Sequence, residues 1–270
     1  MKNLLPPLLA ILLFAACKKE INTTNAKEEI AVAAKQPTRF TVCHYDPVTR
    51  SSKTIQVTQN ALAGHLAHGD LQGDCSAVLT TICNQDWMVK NLDVTTYRNG
   101  DIIPEVTDPT VWAALTTGAW CYYENNSTNG TTYGKLYNWY AVNDPRGLAP
   151  AGWHVPTDAE WTTLSTCLGG DAIAGGKMKS IGTIEAGTGL WLAPNTAATN
   201  SSGFTGLPGG IRGSDGPSIL VGSQGYWWSS TESPFPPNAW SRNLKNDGGN
   251  INRYLSLERV GFSVRCIRDN

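Results

Sequence analysis

Residues 147–161 read GLAPAGWHVPTDAEW, and the second half of this stretch writes the start of a helix. Thr157-Asp158-Ala159-Glu160 is a capping box. The threonine hydroxyl accepts from the third helical N–H, and Glu160 reaches back to the N-cap amide. Pro156 and Trp161 stand at the staple positions. Trp161, Leu164 and Leu168 follow at i, i+3 and i+7 as one buried stripe, and Gly169-Gly170 stops the helix. Cys167 lies beside the stripe and is expected to point inward.

Around this helix the chain reads as short elements and long loops. Asp108-Pro109 predicts a second short helix, with Asp as N-cap and Pro in the first turn. Strands are predicted over 119–123, 225–230, 239–244, 252–257 and 260–267. In the last of these, Phe262, Val264 and Cys266 share one face, and Ser263 and Arg265 take the other. The Gly/Asn/Thr/Ser-rich stretch 180–224 is a loop long enough to be functional or pinned. All ten tryptophans lie between Trp87 and Trp240. That spread predicts a domain with modest regular structure, its core filled by large rings. The 270 residues carry 21 basic and 22 acidic side chains, a net charge of -1. This balance argues against a nucleic-acid partner. With only 16% charged residues, 27 Gly and 15 Pro, a long coiled coil is excluded.

The first 17 residues read as an export signal. Lys2 precedes an apolar run from Leu4 to Ala16, interrupted by Pro6 and Pro7 and too short for a membrane span. Phe14-Ala15-Ala16-Cys17 resembles a bacterial lipobox, with Phe14 in place of the usual Leu. The resemblance makes Cys17 the lipid-bearing mature N-terminus, so contact with the membrane is through the anchor alone. Lys18-Lys19-Glu20 resembles the Lys-plus-acid signal that sends some bacterial lipoproteins to the outer surface. The expected location is therefore the outer membrane, surface-exposed. Residues 18–38 are polar, without an apolar period, and read as a flexible tether.

Without Cys17, six cysteines remain, and export permits up to three disulfides. Cys43–Cys75 is the expected pair, because it brackets a compact segment. That segment, 39–80, reads as a small disulfide-stapled ββα module. RFTVCHY (39–45) and KTIQV (53–57) alternate as two strands, and QNALAGHLAHGD (59–70) supplies a helix ending at Gly69. His65 and His68 lie at i and i+3 on one helix face. His44, His65, His68 and Asp70 fall close together in the chain, and imidazole with carboxylate suits Zn²⁺, Cu²⁺ or Ni²⁺. The competing reading is that these histidines only cap and pack the module.

YGKLYNWYAV (133–142), the 147–161 segment, GFTGLPGG (203–210), YWWSSTE (226–232) and GFSVRCIRD (261–269) stand in a recognisable order. With DWMVKNLDVTTYRNGD (86–101) they resemble the Fibrobacter succinogenes major paralogous domain, over residues 81–270. Many members of that family carry Cys where this chain has Ala149. The resemblance therefore leaves Cys167 or Cys121 as a different partner for Cys266. The same landmarks are more loosely similar to the formylglycine-generating-enzyme domain. Both families imply an α+β, C-type-lectin-like fold: short helices, a small twisted antiparallel sheet, long loops and paired chain ends. The oxidase chemistry needs two cysteines near the C-terminus, and only Cys266 is there. No GxSxG, HExxH or P-loop occurs, and His154 between Trp153 and Val155 reads as packing.

The expectation is thus a non-catalytic, lipid-anchored surface protein that binds glycan or extracellular polymer through its lectin-like domain. The candidate ligand residues are Trp228, Glu232, Asn238, Trp240, Arg242 and Asp247, with one of Trp227 and Trp228 facing outward. Calcium is weighed at Asn246-Asp247-Gly248 and at Ser214-Asp215-Gly216. The alternatives are a structural or protein-interaction module of the envelope, and an enzyme of the formylglycine-generating type.

Overall fold

In a computed structural model, residues 38–269 are described; the signal, the Cys17 anchor and nearly all of the tether lie outside them. The chain opens with β1 (Arg39–Asp46), β2 (Ser51–Thr58), α1 (Gln59–Ala67), β3 (Leu71–Gln72) and α2 (Cys75–Val78). There follow β4 (Leu79–Ile82), β5 (Gln85–Met88), α3 (Pro109–Ala113), β6 (Trp120–Cys121), α4 (Ser127–Tyr133), β7 (Leu136–Tyr137), α5 (Trp139–Val142) and β8 (Trp153–His154). Then come α6 (Asp158–Cys167), α7 (Asp171–Met178), β9 (Gly209–Arg212), β10 (Ser218–Val221), β11 (Gln224–Glu232), β12 (Asn238–Lys245), β13 (Ile251–Leu257) and β14 (Ile267–Arg268). The architecture is α+β with several small sheets: β2-β1-β3, β4-β5-β14-β8, β6-β7 and β10-β9-β11-β12-β13. Pro37–Asn270 belongs to one unit.

Local chemistry explains the elements that were legible. At α6 the capping box is formed: the Glu160 amide donates to Thr157 Oγ1 at 3.2 Å, and the Thr157 amide donates to Glu160 Oε2 at 2.7 Å. Trp161, Leu164 and Leu168 are buried along one face, and Gly169 and Gly170 leave the helix at positive φ. Asp108 caps α3 by accepting from the Val111 amide at 2.9 Å. The β1–β2 hairpin pairs from Arg39↔Thr58 to Asp46↔Ser51.

Two aromatic cores flank the strand β11. One holds Trp87, Trp161, Phe204 and Trp227, with Trp87 and Trp161 ring centroids 4.9 Å apart. The other holds Trp228, Phe262, Trp139 and Trp153, with Trp228 and Phe262 centroids 4.4 Å apart. Trp227 and Trp228 do point to opposite faces, but both faces are covered, so both rings are buried. The expectation that one of them faces outward is therefore corrected.

The predicted strand 260–267 shrinks to β14. Gly261, Phe262 and Ser263 make single bridges to Arg212, Tyr137 and Trp227 instead, so this segment stitches separate sheets together rather than extending one. Both of its faces are buried, including Arg265, whose guanidinium bonds Asn91 Oδ1 and the Met88 and Phe204 carbonyls. The predicted strand 119–123 likewise keeps only Trp120–Cys121.

Cys43–Cys75 forms as expected, and a second disulfide joins Cys83 to Cys167. Cys167 is exposed rather than inward, because it leaves the helix stripe to reach the β4–β5 turn. Cys266 has neither Cys167 nor Cys121 as a partner. Cys121 and Cys266 are buried free thiols, and burial pushes the pKa of each up to about 12.

Candidate metal centre

The disulfide and the strand register build this site. Val42↔Gln72 and Cys43↔Leu71 set β3 beside β1, which places Asp70 next to His44. The α1 helix delivers His65 in its last turn and His68 as its C-cap. Gly69, at φ +96°, turns the chain back, and its amide and that of Asp70 donate to the Leu66 and His65 carbonyls. A side chain at Gly69 would stand 2.0 Å from the Ala151 carbonyl oxygen, so the turn requires glycine twice over.

The structure brings all four residues together. Asp70 is buried, and its Oδ2 lies 2.7 Å from both His44 Nδ1 and His65 Nδ1, with His68 Nδ1 at 3.8 Å. Its Oδ1 accepts from the Tyr45 amide at 2.9 Å. One ligand atom from each of the four lies within 4.8 Å of every other, and among the described residues no other such group of three or more is found. Burial raises the Asp70 carboxyl pKa, but the Tyr45 amide and the His44 and His65 rings outweigh it and hold the group below its ordinary value. The carboxylate is thus ionised and sits on the inner side, while the three rings reach solvent to different degrees.

A tetrahedral zinc site with bonds of about 2.0–2.1 Å has ligand-to-ligand edges of roughly 3.3 Å. The present separations from Asp70 Oδ2, 2.7, 2.7 and 3.8 Å, straddle that value. Four protein ligands fill a tetrahedron and leave no position for a substrate, which is the pattern of structural sites.

The six residues singled out for ligand binding do not form one site. Trp228 is fully buried, and its Nε1 donates to the Tyr137 carbonyl at 2.8 Å. Arg242 is buried too, donating to Asp158 Oδ1 at 2.6 Å, while Arg253 grips the same carboxylate from outside. Both are corrected to packing roles. Glu232 and Asn238 stand at one end of the β11–β12 hairpin. Asp247 follows the other end of β12, roughly 25–30 Å along the strand direction from Asn238. Trp240 is half-exposed, with Arg253 stacked over its ring at 3.2 Å.

The weighed calcium loops are also differently employed. Lys179, fully buried, donates to the Thr196, Lys245 and Gly248 carbonyls at 2.7, 2.9 and 2.8 Å. Within Asn246-Asp247-Gly248 the Gly248 carbonyl is thus taken by an ammonium, and the Asn246 carbonyl accepts from the Thr196 amide. Ser214-Asp215-Gly216 is the tight β9–β10 turn, packed on Pro109.

Sequence reasoning missed three arrangements. His154 does more than pack: it bridges Glu160 Oε1 at 2.9 Å and Asp269 Oδ1 at 2.6 Å, and its hydrogen bond to Glu160, then that to Asp269, raises its pKa despite burial. Asp158 carries two arginines. Arg268 lies between the Tyr45 and Trp153 rings. Only the nearness of Glu160 to His154 in sequence offered a signal.

Among the described residues no helix is long and apolar enough to cross a membrane. No curated protein and no solved structure matches the chain. The family model of the Fibrobacter succinogenes major domain matches residues 80–268, a span that begins in β4, after the clustered His44, His65, His68 and Asp70. On that match the chain belongs to the Fibrobacter succinogenes major domain family.

Proposed function

We propose that this is a non-catalytic protein of the bacterial envelope that holds one divalent transition metal, zinc in the first place, at His44, His65, His68 and Asp70. The observation that carries the reading is the convergence of three imidazoles on one buried, ionised carboxylate. Such a metal supplies structural cross-linking of β1, α1 and the turn before β3, beside the Cys43–Cys75 staple. The lipobox-like Phe14-Ala15-Ala16-Cys17 supports anchoring at Cys17 in the outer membrane, facing outward.

The test is elemental analysis of the purified, oxidised chain before and after chelation, with thermal melts alongside. One zinc per chain, lost on chelation with a fall in Tm and absent in Asp70→Asn, is the expected result. A metal-free chain that gains no stability from added zinc, copper or nickel refutes it and leaves the histidines as hydrogen-bond partners of Asp70.

The second reading concerns the large domain. Its pairing of β14, at the C-terminal end, with β5 near its beginning supports a C-type-lectin-like fold, as do the small sheets and long loops. On the outer edge of the five-stranded sheet, Trp240 lies opposite Leu255, and Asn238 opposite Leu257, with both leucines exposed. This strip, one aromatic ring and one amide flanked by two exposed leucines, favours glycan or extracellular polymer as ligand. Quenching of tryptophan fluorescence by a polysaccharide, lost in Trp240→Ala, is its test. Capture of an envelope protein through the same strip, with no saccharide response, would favour the interaction-module reading instead.

A further inference from the structure

A cleft of about 660 Å³ opens where the β1–β2 hairpin and α2 meet the β4–β5 hairpin and the C-terminal strand. Four charged side chains line it: Arg50, Asp86, Arg268 and Asp269. The two acids are engaged. Asp86 Oδ1 accepts from Thr81 Oγ1 at 2.6 Å, and Asp269 Oδ1 pairs with His154. The two arginines are not hydrogen-bonded by any described side chain or carbonyl.

Arg268 is the unusual one. It is 6% exposed, with its guanidinium carbon 4.0 Å from the Tyr45 ring centre and 4.4 Å from that of Trp153. The two rings crowd the guanidinium carbon. Its Nε and Nη2 are buried and have no hydrogen-bond partner, and its charge is met only by a long ion pair, Asp86 Oδ2 at 3.5 Å from Nε. Nε and Nη2 form the side-on fork that matches the two oxygens of a carboxylate. Across the cleft Ser52 Oγ is a second buried polar atom without a partner. Each flank of the cleft therefore contributes an orphaned group, and buried orphans of this kind cost free energy unless something bonds them.

We propose that this cleft binds the carboxylate of an acidic sugar. The Arg268 fork takes the carboxylate edge-on, Arg50 adds the second positive charge at the rim, and Ser52 bonds a ring oxygen or hydroxyl. Hydroxyl and amide side chains such as Ser76 and Asn84 complete the lining, as a polyhydroxylated ligand requires. The proposal rests on the glycan reading for the sugar, and on the Arg268 edge alone for the carboxylate.

The experiment is calorimetric titration of the full chain with D-glucuronate and D-galacturonate, with D-glucose and inorganic phosphate as controls. One uronate per chain is expected, with no heat from glucose and weaker binding of phosphate. Arg50→Ala, on an exposed turn, should weaken uronate severalfold, and Arg268→Lys, which keeps the charge but loses the fork, by about tenfold. Uronate heat no larger than that of glucose overturns the proposal, as does binding that is unchanged in Arg50→Ala and in a folded Arg268→Lys. Equal binding of phosphate overturns the sugar. A uronate-containing polysaccharide whose binding survives both arginine variants but is lost in Trp240→Ala would overturn the cleft and leave the glycan reading standing.

Discussion

Replacing Lys179 by methionine tests what holds the long loop region in place. The ammonium is fully buried and bonds three carbonyls, those of Thr196, Lys245 and Gly248, thereby tying the end of α7 to two loops. Burial pushes its pKa from 10.5 down to about 8, a penalty on the charged form on the order of 3 kcal/mol. Against it stand three hydrogen bonds from a charged donor, at about 1.5–3 kcal/mol each. Lys179→Met would remove both sides of that balance at nearly unchanged volume. The three bonds outweigh the penalty, so the expected loss is about 4 kcal/mol, or a Tm lower by roughly 8–16 °C for a unit of this size. Urea unfolding followed by tryptophan fluorescence measures it, because Trp191 packs beside the ammonium and bonds Gly206. The pH course is fixed as well. The folded pKa lies below the unfolded one, so the native state releases its proton first, and the wild-type advantage widens as pH rises from about 8 toward 10.5. A loss under about 1 kcal/mol at pH 7, or an advantage that narrows over that range, would refute the reasoning.

Asp158→Ala should cost about 3 kcal/mol in chemical denaturation, because it leaves the buried Arg242 without its carboxylate; Asp158→Asn should cost less. Replacing Cys83 and Cys167 together by Ser should lower stability by about 2–4 kcal/mol, since the bridge closes a separation of 84 residues, as read from melts of the oxidised chain. In the same chain Cys121 and Cys266 should resist iodoacetamide until the protein unfolds, with mass spectrometry counting two added groups only then. The His154 proton stabilises the fold fully below about pH 6.5, and that contribution is lost as pH rises through its raised folded pKa. The opposing partner, Glu160, is raised by burial but lowered further by His154 and Thr157, so its contribution is lost only as pH falls through a depressed value. His154→Gln should flatten the alkaline side of that profile, and proton NMR of the His154 ring should give a midpoint above that of a free histidine.

What could be read from the sequence was local. The capping box of α6 needs residues three apart, and the Cys43–Cys75 module needs only a hairpin, one helix and a return strand, so strand alternation and histidine spacing sufficed to assemble His44, His65, His68 and Asp70. The six ligand residues were a different problem. Alternation along β11 separates Trp227 from Trp228 correctly, yet says nothing of whether the second face is wet, and here a second core covers it. Buried cations are equally silent in sequence. Lys179, Arg242, Arg265 and Arg268 look like surface residues until carbonyls, Asp158, Asn91 or aromatic rings arrive from distant segments, as Met88 reaches Arg265 and Tyr45 reaches Arg268. Cys83–Cys167 belongs to the same class, because only the folded β4–β5 turn brings the two thiols together.

The candidate metal centre and the proposed sugar cleft share a seam, and the seam is built from consecutive residues. Between His68 and Asp70, the Gly69 carbonyl accepts from Trp153 Nε1 at 2.6 Å, and the missing Cβ of Gly69 is the space that Ala151 occupies. Trp153 in turn packs against the Arg268 guanidinium, as does Tyr45, and the Tyr45 amide donates to Asp70. A closed path therefore runs from the Asp70 carboxylate through Tyr45, Arg268 and Trp153 back to Gly69. Any ligand that draws His44, His65 and His68 inward pulls on the turn that seats Trp153, and any carboxylate on the Arg268 fork loads the same ring stack from the other side. Asp70, Gly69, Trp153 and Arg268 are buried in this loop and Tyr45 partly so, and each is held by more than one contact. It also means that the hairpin and helix before residue 80 are not a loose appendage to the family domain: they supply one wall of the cleft, and the family domain supplies the tryptophan that locks the histidine turn.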